Sequence, residues 1–389
     1  MTSRRKGADV LVAGAGPAGS AAALALATAG ADVVLVHREH PSRWHAGESL
    51  APTARPLLEH LGILDRVTAH GHRPCYGHHS AWGQDTVTAS DFVGGPYGSG
   101  WHLDRPLFDR SMREAAREAG VSHHSGCVTA AVPAGDQWRV TVSGAEVVAP
   151  YVVDATGAGA RVARRLGARV LATDHLVAVA TVLTGAGPQG DTARGNTERT
   201  SLIESAAFGW WYTAPLPSGQ HIAMAVTDPD LVARAGLRTP AGWSDALATS
   251  RHVRERLALC GTRPPQRLTV LRAGTSRLSA AAGPGWVAVG DAATATDPIA
   301  ARGITTALAT GITAAGALTA CAGGDEHALE RYADLASAVH AEFLRARMVC
   351  YRAGRRWDTP FWTRRTEGRP VIGLGEAGRV ADARPGSWR

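Results

Sequence analysis

The chain begins its patterning with an apolar run, ADVLVA at 8–13, which breaks on glycines and resumes as an alanine-rich stretch. A second apolar run, DVVLVH at 32–37, completes a strand–turn–helix–strand unit. Short runs without polar alternation fit strands covered on both faces, as in a parallel sheet. Helical spacing returns at 52–62 and 106–119. Alternation predicts strands at 127–132, 138–143 and 147–154, then at 175–185, 208–214 and 220–227. The segment GWVAVGDAA at 285–293 reads as another buried strand ending in a glycine turn, with long helices over 303–321 and 325–353. The last residues, rich in Gly, Arg and Pro, predict loose order.

These elements interleave. Pieces of a doubly wound α/β unit lie at 1–65, 100–165 and 270–325, and pieces of an antiparallel sheet at 66–99 and 166–269. A helical region with a basic tail follows at 326–389. The arrangement predicts a substrate-binding sheet domain inserted into a discontinuous cofactor domain, not two units on a linker.

Composition narrows the class. A 389-residue chain with 45% hydrophobic and 19% charged residues can bury a sizeable core. No uninterrupted apolar run approaches about 20 residues, and the N-terminus lacks a separate signal-peptide core. The expectation is a cytoplasmic protein without a membrane span. Five scattered cysteines form no CxxC, and the paired histidines at 78–79 and 123–124 lack ligand spacing, so free thiols and no metal are expected. The net charge is +7, and residues 341–389 carry +6 of it in eleven Arg and five acidic residues. Such a tail can meet an acidic partner or form a solvated helix face. With Lys6 the sole lysine and no recognisable nucleic-acid module, no nucleic acid is expected as a partner.

Between the first two strands, Gly14-Ala15-Gly16-Pro17-Ala18-Gly19 fits GxGxxG. Gly14 permits the tight turn, Gly16 lets backbone N–H groups approach a pyrophosphate, and Gly19 lets the helix pack on the sheet. The helix N-terminus then presents its positive dipole end to the phosphates. The usual ribose-binding acid at the end of the second strand is replaced by His37, followed by Arg38 and Glu39. Either Glu39 or the His37 imidazole can bond the ribose.

The glycine motif alone does not choose between FAD and NAD. HAGESLAP (45–52), HLDRPLFDRSM (102–112), VVDATG (152–157) and GWVAVGDAATATDPIAARGITTAL (285–308) do. In this order, and over nearly the whole chain, they resemble the flavoprotein monooxygenase superfamily that includes p-hydroxybenzoate hydroxylase, geranylgeranyl reductases and flavin-dependent halogenases. The resemblance implies an α/β fold with an FAD-binding Rossmann-like domain of the p-hydroxybenzoate hydroxylase type, an interleaved antiparallel substrate sheet and a helical C-terminus. It implies FAD as cofactor, contacted by Ser49 of the GESL segment, by Arg105 and by Asp291 at the ribityl chain, with Pro298, Gly303 and Ile304 passing the isoalloxazine. Arg105 can alternatively pair with Asp109, and Asp291 can cap the turn that follows it.

The stretch FGWWYTAPLP at 208–217 resembles the GWxWxIP signature of flavin-dependent halogenases, with Tyr212 in place of the second tryptophan and Ala214 in place of isoleucine. Those enzymes use a lysine in the region matched by HRPCYGHHSAWGQ (72–84), which has none. The resemblance therefore points to halogenase-related oxidoreductases lacking the catalytic lysine, among them flavoproteins that mature quinone cofactors by modifying a tryptophan of a partner protein. The implied reaction is monooxygenation: oxygen from O2 goes to an electron-rich ring, in an aromatic small molecule or a tryptophan of a peptide or protein. A separate reductase is the implied source of reduced flavin. Trp210, Trp211, Tyr212 and Trp82 are candidates for an aromatic wall, although alternation sends Trp211 to the face opposite Trp210 and Tyr212. His78 and His79, with Ser80 and Glu204, are candidates for a base or substrate contact. The rival readings are a flavin-dependent reductase or dehydrogenase without oxygen insertion, a halogenase, and a GDP-dissociation-inhibitor-like binding protein.

Overall fold

The computed structural model describes residues 6–38, 47–92, 94–185, 198–354 and 356–366. Strand β1 (Val10–Ala13), helix α1 (Pro17–Thr28) and strand β2 (Val33–His37) form the first unit, with β1 and β2 parallel. All four residues of β1 are buried, as its unbroken apolar run requires. Beyond β2 the sheet adds Ser122–Ser125 in parallel. On the other side of β1 lie β3 (Tyr151–Asp154) and Trp286–Ala288, both parallel, and the antiparallel edge Ala282–Gly283. Helix α2 (Arg105–Glu118) starts at Asp104, whose carboxylate accepts from the Leu107 N–H at 2.9 Å.

The alternating segment at 147–154 is two strands. Pro150, which has no N–H to donate, separates Ala145–Ala149 from β3. The first half belongs to a three-stranded meander with Gln137–Val142 and Val128–Ala134, which Lys6–Gly7 extends in parallel to four strands, and the second to the parallel sheet.

The second large sheet has seven strands. Their order is Thr269–Arg272, Val177–Leu183, His221–Thr227, β4 (Gly209–Pro215), Thr200–Ala206, Gly77–Ala81 and Thr88–Asp91. Five of its six ladders are antiparallel, and in the sixth Gly77–Ala81 runs parallel to Thr200–Ala206. A parallel pair needs a long crossover, and here the chain between them builds much of the other sheet.

Helix α3 (Gly303–Ala322) packs on α1 so closely that a Cβ on Gly311 would lie 2.4 Å from the Ala18 carbonyl oxygen. Among the described residues it is the helix long and apolar enough to cross a membrane by length and composition, with a mean hydropathy of 1.4. Its apolar side meets α1: Ile304, Ala307, Leu308, Ala314, Ala315 and Leu318 are buried in the core that α1 shares. Helix α4 (Ala328–Ala353) and the short helix Pro360–Thr366 follow. The latter buries Phe361 and Trp362 against the seven-stranded sheet's aromatic residues and is pinned by Arg365, which donates to Asp228 at 2.5 Å. The last residues, expected to be loosely ordered, lie outside the described residues from 367 onward.

Candidate functional site

A cleft of about 330 Å³ opens where the glycine turn, the C-terminal ends of the parallel strands and one face of the seven-stranded sheet converge. Its floor begins at α1. Gly16 is the N-cap of that helix, and no side chain caps it. A Cβ on Gly16 would meet no protein atom within 4 Å, so the space beside it belongs to the cleft. Gly14 and Gly19 are constrained differently. Gly14 has φ +112°, and its Cβ would lie 2.2 Å from the Ala155 carbonyl oxygen; a Cβ on Gly19 would lie 1.8 Å from the Gly14 carbonyl oxygen. Asp154 holds the neighbouring turn. Its carboxylate accepts from the N–H groups of Thr156, Val162 and Ala163 at 2.9, 2.9 and 2.7 Å.

The walls carry the charged groups. Arg105, at the start of α2, donates to both Asp109 carboxylate oxygens at 3.2 Å and to the Gly47 carbonyl at 3.1 Å, while still lining the cleft. The ion pair and the cleft position are thus compatible. Asp291 reaches the cleft from the turn after Trp286–Ala288. Its surface is open to the cleft, but protein encloses it on the other sides. The resulting desolvation raises its carboxyl above the ordinary value, against the pull of Arg105. Pro298, Ala301, Gly303 and Ile304 form the rim opposite. Ala301 closes the Pro298–Ala300 turn with φ +48°, in the left-handed region.

The seven-stranded sheet supplies the aromatic wall. Trp210 and Tyr212 on β4 and Met224 on the neighbouring strand face the cleft. Tyr212 donates its phenol hydrogen to Glu48 Oε1, and Ser49 Oγ lies 3.0 Å from the same phenol oxygen and 3.4 Å from His102 Nδ1. Burial pushes the Tyr212 phenol well up, as does the adjacent Glu48 charge. Burial likewise raises the Glu48 carboxyl, and the hydrogen bond from Tyr212 opposes it. His102 is held down to about 3, first by burial and then by the charge of Arg73, so it is a neutral imidazole near neutral pH.

Behind Trp210 a buried network ties the wall to the rim. The indole N–H donates to Tyr351 Oη at 3.2 Å, and that hydroxyl donates to Asp297 Oδ2 at 2.6 Å. The same oxygen accepts from Arg347 Nε at 3.0 Å, and Arg347 Nη2 donates to Asp174 at 2.7 Å. Asp297 Oδ1 accepts from the Ile299 N–H at 3.0 Å, which fixes the turn carrying Pro298.

Of the residues singled out in sequence, Gly16, Ala18, Ser49, Arg105, Tyr212, Asp291, Pro298, Gly303 and Ile304 line this one cleft. Gly14 and Gly19 shape its turn from behind. His37 stacks edge-on with His123 at 5.6 Å, and Arg38 donates to Cys127 Sγ at 3.0 Å. Glu39 lies outside the described residues. Four candidates point elsewhere. Trp211 is on the opposite face of β4, where it meets Trp243 edge-on at 4.9 Å in a separate apolar core. Trp82 sits behind Trp210, packed against Tyr351 and Trp362, and donates to the Cys350 carbonyl at 2.7 Å. His78 Nδ1 is 2.6 Å from Ser201 Oγ, and its ring packs on Phe92. His79 Nδ1 is 3.2 Å from Arg256 Nη2. None of the four lines the cleft, because Gly77–Ala81 lies two strands from β4 and Trp211 follows the pleat. Glu204 caps a helix, accepting from the Arg251 and Val253 N–H groups at 2.7 and 2.8 Å. Reasoning from sequence passed over Glu48 and Asp297, which lie inside quoted motifs. It also passed over Tyr351, which no local pattern marks.

The cleft fits a dinucleotide. The uncapped helix N-terminus with open space at Gly16 suits a pyrophosphate, and an exposed carboxylate at Asp291 suits polyol hydroxyls. Open space also lies at Gly303, where a Cβ would meet nothing within 4 Å.

Known proteins agree with this geometry. The model of a family described as FAD binding domain matches residues 7–347. LodB of Marinomonas mediterranea (strain ATCC 700492 / JCM 21426 / NBRC 103028 / MMB-1), named as an FAD-dependent oxidoreductase, is 28% identical over 366 residues, 92% of this chain and 96% of LodB. The myxobacterial chondrochloren halogenase CndH superposes with a TM-score of 0.82 over 95% of this chain and 87% of its own, at 22% identity, which is a likeness of fold. The peptidyl tryptophan dihydroxylase QhpG, essential for tryptophylquinone cofactor biogenesis, superposes with a TM-score of 0.70 at 25% identity over 92% of this chain and 78% of its own.

Proposed function

The chain belongs to the FAD binding domain family and is an FAD-dependent oxidoreductase of the monooxygenase and halogenase superfamily, and on that premise we propose that it hydroxylates an electron-rich aromatic ring. The observation that carries the reading is the wall of β4, which presents Trp210 and Tyr212 from one face into the cleft rimmed by Pro298, Gly303 and Ile304.

FAD supplies, when reduced, the electrons with which O2 is activated for insertion. The residues of this chain do the rest. Gly16 and the first turn of α1 hold the pyrophosphate, Arg105 adds positive charge near it, and Asp291 accepts from the ribityl hydroxyls. The N-terminus of α3, at Gly303 and Ile304, favours negative charge on a reduced ring system beside it. Trp210, Tyr212 and Met224 stack a planar acceptor and exclude water from it, which limits loss of activated oxygen to the solvent. The network through Tyr351 and Asp297 keeps wall and rim in register.

We take the acceptor to be an indole, free or as a tryptophan in a peptide or protein. The likeness to a peptidyl tryptophan dihydroxylase supports this. A separate reductase would deliver reduced flavin, and five unpaired thiols suit the reducing cytoplasm. Against halogenation, no lysine lines the cleft, and arginine stays protonated and cannot shuttle a proton at neutral pH. The test is turnover of FAD-loaded protein with a reductant, O2 and chloride, offered indoles, phenols and tryptophan-containing peptides. A product heavier by one oxygen is expected. Chlorinated product, or consumption of reductant with none of these acceptors changed, would count against the reading.

A further inference from the structure

We propose that Glu48 is a specificity-determining residue of the cleft, its Oε2 accepting a hydrogen bond from the ring N–H or O–H of the aromatic substrate. The inference rests on the reading of the site as an aromatic hydroxylase and names what that site selects. Glu48 is 1% exposed and lines the cleft beside Tyr212. Its position is set from both sides. Its carbonyl accepts from the Leu103 N–H at 2.6 Å, and Gly47 before it adopts φ +90°, where a Cβ would meet Arg105 at 2.9 Å.

The two carboxylate oxygens differ. Oε1 accepts from the Tyr212 phenol. Oε2 is buried, and among the described residues it has no hydrogen-bond partner. Arg105, whose charge acts on Glu48, donates its hydrogen bonds to Asp109 and the Gly47 carbonyl. A buried acceptor left open is costly unless something supplies a donor. The surroundings say which donor. Trp210, Met224 and Tyr212 form an apolar and aromatic face that accepts a flat ring, and an indole N–H or a phenol O–H is the polar group such a ring carries. Sites built to bond a substrate N–H or O–H reject analogues that lack it. A flavin N–H or a ribityl hydroxyl is the other possible source of a donor, so the experiment must separate the two.

Oxidised FAD-loaded protein is titrated with 3-methylindole, which keeps its N–H, and with the equally sized 1-methylindole, which lacks it. Binding is read from perturbation of the flavin absorbance and needs no turnover. The wild type is expected to prefer 3-methylindole by about tenfold or more, the value of one buried hydrogen bond to a carboxylate. Glu48→Met, similar in length and without an acceptor, is expected to lose that preference while keeping its FAD, and Glu48→Gln is expected to retain part of it. Equal affinities for the two indoles in the wild type would overturn the inference alone and leave the aromatic reading standing. No binding of either would overturn the inference together with the choice of an indole as acceptor. Wild-type preference that survives unchanged in Glu48→Met, or a wild type without preference whose Glu48→Met variant releases FAD, would assign Oε2 to another role and overturn the inference.

Discussion

Replacing Gly16 by alanine should separate cofactor binding from folding, and its two neighbours in the motif provide the control. At Gly16 the backbone has φ −76° and ψ −176°, which alanine adopts without strain. Its Cβ would meet no protein atom within 4 Å. Stability of the FAD-free protein should therefore hold or rise slightly, by about 0.4–1 kcal/mol, through a less flexible unfolded chain. The methyl group would instead enter the space where a pyrophosphate approaches the first turn of α1. Losing one charge-assisted hydrogen bond there is worth about 1.5–3 kcal/mol, or roughly a 10- to 150-fold weaker FAD complex. Gly19→Ala and Gly14→Ala act in the reverse order, because their Cβ atoms would lie 1.8 and 2.2 Å from backbone oxygens. Overpacking of that kind costs about 1–3 kcal/mol or more, and about 4 °C in melting temperature for 3 kcal/mol in a chain of this length. The assay is a thermal melt of each FAD-free variant beside an FAD titration followed by flavin fluorescence. A Gly16→Ala protein that binds FAD as tightly as wild type, or that melts as early as Gly19→Ala, would refute the assignment of this space to the pyrophosphate.

Three further outcomes can be checked. Burial holds His102 down to about 3 and both His72 and His221 down to about 4, all below the ordinary 6.5; their stabilising contribution is complete above pH 6.5 and is lost as pH falls towards those values. For His102 that is about 2 kcal/mol between pH 7 and pH 5, so the melting temperature should drop by about 2–3 °C over that interval from this residue alone, and a flat profile would contradict it. Tyr351→Phe removes the 2.6 Å bond to Asp297 and the acceptor for the Trp210 indole. It should cost about 1.5–3 kcal/mol in denaturant unfolding, whereas an unchanged midpoint would show that the network is dispensable. Trp211→Phe should lower stability by about 1–3 kcal/mol with aromatic-ligand affinity intact, and Trp210→Phe should weaken that affinity; equal effects on ligand binding would deny the two faces of β4 their separate roles.

What could be read in advance followed from local periodicity. The β1–α1–β2 unit was legible because unbroken apolar runs around a glycine turn leave few alternatives, and the α/β class with an interleaved second sheet followed from the order of such runs. Pro150 was visible in the sequence, but alternation on either side of it concealed that it divides one apparent strand between two sheets. The parallel partnership of Gly77–Ala81 with Thr200–Ala206 depends on a crossover of more than a hundred residues, and no local pattern encodes it.

The aromatic wall marks the limit most clearly. Period-two alternation correctly puts Trp210 with Tyr212 and Trp211 against them, but it cannot say which face is the cleft. Both faces of β4 are covered: one meets the cofactor side, and the other meets the helix Pro240–Ala248 through Trp243. Two buried tryptophans in succession therefore look alike from sequence, and only the packing partner of each distinguishes them. The same reasoning explains Glu48. Its neighbour Ser49 was marked by a motif, but the feature that gives Glu48 chemical interest is one carboxylate oxygen bonded to a tyrosine 164 positions away and the other bonded to nothing described. That asymmetry is a property of three-dimensional burial. It arises because β4 delivers a phenol to the residue just ahead of Ser49–Leu50, a strand of a separate three-stranded sheet, and a single-residue slip of β4 would replace that phenol with Trp211 or Thr213 and leave the carboxylate's Oε1 without its donor.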